Sequence, residues 1–596
     1  MNKRLCLCSL GWLLAQASAQ TTAPGGVQVT LDRYQGPARV SAESLDKFKL
    51  RVRVERMGEM QPLNVSVRLP KSGRAVWPAN DVEVRDDAGT ALLVRRSGIE
   101  WENLIVPINA NVSAFSVQAV QPSVPPPALT AEKDRLIQDS ASGAQVRIAS
   151  WPQGRTAALS IRFDDSHPTH LSKAIPILRE YGFKGTFMVN PGPKEPGSRQ
   201  NYAFETQHAE WQAVMKQGDM ELANHSAHHR GAKGDDDMER EIGGAAEAIW
   251  KLIPGKSQLT ALNLGGGTTW ETTRTLRHYL DKYHQFDASS GSLGMDDSYG
   301  GRVEAFRKAL QTHLERGLWC RVHYHYIGEG LSSSEANFRT ALDIAKQHQD
   351  RLWIAGMADI HKYQTERNSA KLSLLKSARE GLTFQLDCAT NSALYDQPLT
   401  MEVKLPDHWT NTQTAVRTKA GASISAQPVE TNEGRWLRFE VPPLQAEYTI
   451  TAAPSASSLP MKKALLAALI WTTAASAQQK PVWVLPEVNA PRVQRVLFDS
   501  AAAGGPVSCY VFTPESYDSA EERRFPVLYW LHGSGGSTPA AAAQVALRYG
   551  EAMRAGKAPP MIMVFPNGLP MGMWCDWKDG SVKLETMFIQ ELIPHI

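Results

Sequence analysis

The chain has 596 residues, a length that implies roughly four domains at ~150 residues each. Hydrophobic residues make up 42% and charged residues 21%, with 44 Gly and 36 Pro, which excludes collagen-like and globally disordered classes. With 64 basic against 61 acidic side chains, a net charge of +3 and no long run of like charge, nothing points to a nucleic-acid partner. In chain order, Lys3 and Arg4 precede the apolar run Leu5 to Leu14 and the small-residue site Ala17-Ser18-Ala19. That is the pattern of a cleaved export signal over 1–19, and it implies a secreted or periplasmic protein. Cys6 and Cys8 leave with it. Cys320, Cys388, Cys509 and Cys575 remain, none in a C-x-x-C pair, so thiolate zinc and thioredoxin chemistry are not expected. No later apolar run reaches the ~18 residues of a stable membrane span.

Phe48, Leu50, Val52 and Val54 alternate with charged residues, and Val65, Val67 and Leu69 repeat the period, so 20–121 is predicted as a β-sandwich. The P-S-V-P-P-P stretch makes 122–145 a linker. Over 146–385, buried strands such as Ala157 to Phe163 and Gly185 to Asn190 alternate with helical segments such as Leu171 to Tyr181. This predicts parallel βα units, in an open sheet or a barrel. Leu399, Met401, Val403 and Leu405 alternate again, predicting a small β module over 386–455. In 456–478, Met461-Lys462-Lys463, an apolar run and Ala475-Ser476-Ala477-Gln478 repeat the export-signal pattern. The favoured reading is an in-frame join of two neighbouring secreted-protein genes. An apolar linker helix is the alternative, and a membrane anchor ranks last because the run is short.

The βα region carries the chemistry. Asp164 and Asp165 follow an apolar strand, where parallel-sheet enzymes put catalytic groups. Strand neighbours point to opposite faces, so both carboxylates serve one site only if the chain turns there, and Ser166-His167-Pro168 supplies a turn. His225 and His229 share one face if their segment is helical. Two imidazoles and a carboxylate leave coordination positions open, the stoichiometry of a catalytic metal. Either pair alone is a weak signal: Asp-Asp commonly caps a turn, and H-x-x-x-H is often a solvated surface.

S-I-R-F-D-D, G-T-F-M-V-N and E-L-A-N-H-S-A-H-H together resemble the polysaccharide deacetylase (NodB-homology) family over about 155–370. The resemblance implies a distorted (β/α) barrel holding one divalent metal ion, zinc first and another transition metal next. By position, Asp164 matches the family's general base, Asp165, His225 and His229 its metal ligands, and His325 of His325-Tyr326-Ile327 its general acid. Trp353 to Arg367 looks like the terminal strand and helix of one secreted subgroup. His323, two residues from His325 and on the same strand face, is the rival acid. His167, His170 and His228 are read as structural or solvated. The third motif departs from the family: Leu262-Asn263-Leu264-Gly265-Gly266-Gly267 has neither the arginine nor the proline that orient the base.

Residues 479–596 resemble the first half of a secreted α/β-hydrolase esterase of feruloyl or acetyl-xylan type. Phe525 to Leu531 reads as a buried strand running into His532-Gly533-Ser534-Gly535-Gly536, and Met561 to Phe565 as another. The chain holds no G-x-S-x-G elbow, so Ser534 is read as a loop residue and no esterase activity is expected from this segment. The leading function is therefore a secreted, metal-dependent deacetylase of an acetylated polysaccharide or oligosaccharide, xylan-type or chitin-type. A secreted serine carboxylesterase with an incomplete C-terminal domain and a non-catalytic carbohydrate-binding barrel are the alternatives. The overall expectation is an α/β deacetylase barrel flanked by β-sandwich modules, followed by a partial α/β-hydrolase sheet.

Overall fold

The computed structural model describes residues 21–452 and 483–596, apart from 24, 33–37, 59–60, 72–75, 197–202, 254, 256, 329–331, 410–413, 489, 519–523, 533–536, 538, 570–573 and 578–579. The export signal expected at 1–19 and the repeat of its pattern in 456–478 lie outside the described residues. The chain divides into two compact units, Met1–Ser455 and Ala456–Ile596.

In the first unit, period-two patterning builds two packed antiparallel sheets. One contains Ala38–Asp46, Lys49–Arg56, Val82–Asp86 and Ala114–Ala119. The other contains Gln28–Asp32, Leu63–Arg68, Val94–Ser97 and Asn103–Ile108. Leu50, Val52 and Val54 of one sheet meet Val65 and Val67 of the other in a shared core with Phe115. Each such buried side chain is worth about 1.5–3 kcal/mol. The second sheet continues past the sandwich: Val94–Ser97 pairs antiparallel with Thr269–Thr272, which pairs parallel with Ala232–Lys233.

Eight strands then form one all-parallel half-barrel. They are β1 (Ala157–Phe163), β2 (Gly185–Val189), β3 (Glu221–Asn224), β4 (Thr260–Leu262), β5 (Gln285–Asp287), β6 (Leu293–Gly294), β7 (Trp319–Tyr324) and β8 (Leu352–Ile354). The order is β5-β4-β3-β2-β1-β7-β6, with β8 paired to the start of β1. All seven residues of β1 are buried, because a central parallel strand has both faces covered. Phe163 closes the layer, stacking on Phe187 at 4.9 Å and on Tyr324 at 5.5 Å between ring centres. Helices Ile175–Tyr181, His208–Gln217, Arg302–Arg316 and Glu335–Lys346 press Ile175, Leu178, Trp211, Phe306, Leu310 and Phe338 onto this sheet. Strand β8 leads into helix Met357–Ser369.

A second sandwich takes residues from both sides of the barrel. Leu136–Gln138 and Gln145–Ile148 join Leu399–Lys404, Gly434–Val441 and Gln427–Thr431 in one sheet. Ala370–Ala378, Gly381–Cys388, Ala446–Ala452, Thr414–Thr418 and Ser423–Ile424 form the other. The stretch expected as linker over 122–145 thus contains a strand, and the β module expected at 386–455 begins sixteen residues earlier, with Ala370. These strands are two to nine residues long, and Gln145–Ile148 finds its second partner, Leu399–Lys404, only far along the chain, so local pattern does not reveal the sheet. Strand Leu399–Lys404 also departs from simple alternation. Thr400 and Glu402 are buried too, because the Gln153 N–H bonds Thr400 Oγ1 and Arg147 and Arg438 cover Glu402.

The second unit is a four-stranded sheet ordered Val493–Ser500, Gly505–Phe512, Ile562–Phe565, Val527–Tyr529, with helix Pro539–Arg554. Only the last pairing is parallel. The strand expected as buried over Phe525 to Leu531 is corrected: it spans Val527–Tyr529, lies at the edge of the sheet and leaves Trp530 40% exposed. An edge position covers one side only, whatever the apolarity of the run. Gly533 to Gly536, including Ser534, lie outside the described residues. His595 stacks on Phe498. Cys320, Cys388, Cys509 and Cys575 are all free thiols. Among the described residues no helix is long and apolar enough to cross a membrane.

Candidate metal centre and active site

The carboxyl ends of β1, β3, β4 and β7 converge on one cluster. The main chain turns abruptly after β1, with Asp165 at φ 76° and Ser166 at φ 50°. This left-handed turn, begun at Asp165 itself, lets adjacent carboxylates face one site. After β3 the segment carrying His225 and His229 is a bend and not a helix, so the expected helical face is corrected: left-handed residues at Ser226 (φ 64°) and His229 (φ 51°) bring the rings together. Non-glycine residues in such conformations cost about 1–3 kcal/mol each, and here polar side chains hold them. Ser166 Oγ accepts the Asn190 N–H at 2.8 Å, Ser226 Oγ accepts the His229 N–H at 2.9 Å, and Asn190 Nδ2 donates to the carbonyls of His225 and Ser226.

The outcome is a triad. Asp165 Oδ1 lies 3.2 Å from His225 Nε2 and 3.6 Å from His229 Nε2, and the three ligand atoms lie within 4.8 Å of one another. His225 Nδ1 is 2.8 Å from the Asn263 carbonyl oxygen. The carbonyl holds the proton on Nδ1 and leaves Nε2, which faces Asp165, as the ring nitrogen that would ligate a metal. Burial opposes charge at Asp165, yet the hydrogen bond from His225 and the nearby imidazoles hold its carboxyl far below the usual range. Two imidazole nitrogens and one ionised oxygen fit a borderline divalent ion such as zinc.

Glu195, His228 and Glu241 form a second cluster of suitable spacing. There Arg230 already supplies the cation, with Nε 2.9 Å from Glu195 and Nη2 3.1 Å from Glu241. His228 is tied to Glu241 at 2.7 Å, and this cluster is an ion-pair network that braces the histidine segment.

Asp164 is buried beside the triad. Its Oδ2 accepts from Arg162 Nη2 at 2.8 Å and from Asn263 Nδ2 at 3.2 Å, while Oδ1 has no hydrogen-bond partner among the described residues. Burial pushes the Asp164 pKa up, but the Arg162 guanidinium, helped by His225 and His323, outweighs it and holds the carboxyl ionised. Although the third motif has no arginine, Arg162 of β1 donates to the Asp164 carboxylate, and Asn263 of that motif adds a second donor. The first glycine of that motif is required here: a Cβ on Gly265 would come within 2.5 Å of His229 Nε2, and its φ is +80°.

His325 closes the other side. Its Nδ1 is 2.5 Å from Oδ2 of the fully buried Asp296, whose Oδ1 also accepts the His325 N–H. Burial lowers the His325 pKa, but the Asp296 hydrogen bond and the charges of Asp164 and Asp165 raise it to about 9. His323, bonded to Ser292 Oγ, is pushed down to about 4, mainly by burial. Near neutrality His325 is an imidazolium able to donate a proton and His323 is not. His170 is buried with Nε2 2.6 Å from the His325 carbonyl oxygen, and His167 stacks on Tyr326 at 3.7 Å, so both support the site. Arg162 and Asp296 are functional candidates that the sequence reading misses. A lone arginine in an otherwise apolar strand, and a second Asp-Asp pair at 296–297, were the signals available.

Residues 151–282 match the family model for polysaccharide deacetylase. A curated gellan lyase from Bacillus sp is 23% identical over 357 residues, which is 53% of this chain; the chain spans only 14% of that relative. Among solved structures, a family 4 carbohydrate esterase from Streptomyces lividans is 18% identical over 34% of this chain and 94% of its own, with a TM-score of 0.26. A family 4 acetyl xylan esterase from Clostridium thermocellum is 17% identical over 33% and 87%, with a TM-score of 0.24. A ferulic acid esterase is 29% identical over 17% of this chain and 42% of its own, with a TM-score of 0.16.

Proposed function

The chain carries a polysaccharide deacetylase domain over residues 151–282, and from this premise we propose that the protein hydrolyses acetyl groups from an acetylated polysaccharide or oligosaccharide in a metal-dependent reaction. The observation that carries the reading is the pairing of an ionised, half-satisfied Asp164 with the Asp165–His225–His229 triad on one side and the Asp296-backed His325 on the other.

Asp165, His225 and His229 would hold the divalent ion, zinc in the first instance, which supplies Lewis acidity toward the acetyl carbonyl and lowers the pKa of water. Asp164 Oδ1, the free lone pair, receives the proton of the attacking water as the tetrahedral intermediate forms. Arg162 and Asn263 hold Oδ2, so the carboxylate cannot rotate away. His325, charged through Asp296, donates its proton to the departing amine or alkoxide. The preserved donors on Asp164 weigh against the non-catalytic reading that the altered third motif raised. The serine-esterase alternative rests on residues 533–536, outside the described part. Export from the cytoplasm belongs to the proposal through the pattern of residues 1–19 alone.

The test is acetate release from acetylated xylan and from chitooligosaccharides, with and without a chelator. The expected result is release that stops on chelation and returns with added zinc or cobalt. Absence of acetate from every acetylated glycan by a folded, metal-loaded protein would overturn the reading.

A further inference from the structure

A cavity of about 390 Å³ opens where the N-terminal sandwich meets the loop after β4. Such a volume falls within the ~300–1,000 Å³ of small-molecule sites. Its floor is apolar, with Ile99 47% exposed and the buried Trp101, whose indole N–H has no partner among the described residues. Asn80 and Ser290 add an amide and a hydroxyl to its wall.

The cavity lies one residue from the chemistry. Leu264 lines it, while the neighbours of Leu264 point the other way: Asn263 holds Asp164 and His225, and Gly265 lies against His229. Leu264, Asp287 and Ser289 place the cavity at the carboxyl ends of β4 and β5, the same end of the sheet that carries Asp164 and Asp165. The junction is built tightly. Gly98 packs so closely on the loop that a Cβ would collide with the Gly265 carbonyl, and its N–H donates to the Thr268 carbonyl at 3.2 Å. The wall also has a sign. Arg277 pairs with Asp81 at 3.2 Å and Lys71 with Glu102, which leaves Asp287, held by Asn80 Nδ2 at 3.1 Å, as the lining carboxylate without an ion pair among the described residues.

We infer that this cavity is a glycan subsite, built jointly by the N-terminal sandwich and the loop 263–268, for a neutral or amino-bearing sugar unit flanking the acetylated one. The unpaired Asp287 carboxylate disfavours a uronate at this position, because like charges would be forced together. Apolar floor and polar rim match the two faces of a pyranose ring. The inference rests on the deacetylase reading for its assay, but not for its binding measurement.

Two exposed residues allow the test without touching a core. Ser290→Trp fills the cavity and Ile99→Asp removes its apolar floor. Acetate release is compared on an acetylated xylose monosaccharide and an acetylated xylotetraose, and the binding of xylotetraose and of chitotetraose to the intact protein is measured by calorimetry. The wild type is expected to prefer the tetrasaccharide. Each variant should lose about tenfold of that preference, as one hydrogen bond and one apolar contact would give, and should bind one or both tetrasaccharides correspondingly more weakly. A wild type with no preference for length, or variants that keep it and bind both tetrasaccharides as before, would overturn the subsite. Weakened tetrasaccharide binding in a protein that releases no acetate would leave the subsite standing and remove the deacetylase reading instead. Tighter binding of an oligouronate than of either neutral tetrasaccharide would overturn the assigned sugar class.

Discussion

Replacing Asp296 by Asn should move the alkaline limit of activity. Asp296 is fully buried and its carboxylate makes the 2.5 Å contact that raises His325 to about 9 from an ordinary 6.5. The other groups facing His325 are Asp164, Asp165 and, ring to ring at 5.7 Å, His323. A general acid works only while protonated, so kcat/KM falls as pH rises through the His325 pKa. Asn keeps the shape and removes the charge, leaving burial to push the imidazole down. If the pKa returns to about 6.5, activity near pH 8.5 drops by roughly two orders of magnitude, while activity near pH 6 changes little. The stability linkage has the same sign: a raised histidine contributes fully below the unfolded value and loses its contribution as pH rises through about 9. A bound cation lowers the limit in both proteins, so the displacement between them is the quantity to read. The assay is acetate release from a soluble acetylated oligosaccharide across pH 5 to 10 for wild type, Asp296→Asn and His323→Ala. An alkaline limb that stays in place in Asp296→Asn, or that disappears in His323→Ala, would refute the assignment of His325.

Arg162→Gln should move the acidic limb upward, because the guanidinium is what holds Asp164 low; Asp164→Asn should cost ~10²–10⁴-fold in kcat with metal retained, and profiles read by the same assay decide both. His225→Ala or His229→Ala should reduce bound zinc from one equivalent toward none, measured by elemental analysis after dialysis; retention of a full equivalent in either would remove that residue from the triad. Gly98→Val should destabilise by about 1–3 kcal/mol through collision with the 264–268 loop, seen as a lowered melting temperature. Ending the chain at residue 455 should leave acetate release unchanged, since the catalytic cluster and its core lie wholly before that point. Feruloyl ester cleavage by the full chain alone would show the second unit to be active.

The candidate metal triad is legible in sequence because its members sit directly at strand ends, in short motifs separated by recognisable buried strands. Its geometry is less legible. The four-residue spacing of His225 and His229 invites a helix, and what joins them is a pair of left-handed residues that no periodicity encodes. Arg162 is hidden by its surroundings: in A-A-L-S-I-R-F one cation among apolar residues reads as tolerance, although period two already places it on the same face as Asp164. Asp296 is hidden for a different reason, because its partner lies 29 residues away, just past the end of another strand. The sandwiches were legible as β, but the membership of Leu136–Gln138 and Gln145–Ile148 was not, since three or four residues define no pattern until a partner strand is known.

The sandwich that straddles the barrel changes what it means to fold or excise the catalytic domain. Arg147 and Glu402 join across 255 positions of chain, and the strands that carry them cannot pair until the chain between them has been made. Doubling a loop costs only about 0.6 kcal/mol, so the penalty is one of time more than of stability. During synthesis Gln145–Ile148 must wait, with its edge uncovered, for Leu399–Lys404 to emerge. Once closed, the sheet ties the barrel's entry and exit together, so that opening either one releases the other. A fragment cut at the limits of the family match, 151–282, would lack both the late strand bearing His323 and the closure that holds its ends. The catalytic domain of this chain is therefore a loop of its neighbour, and the two should melt as one.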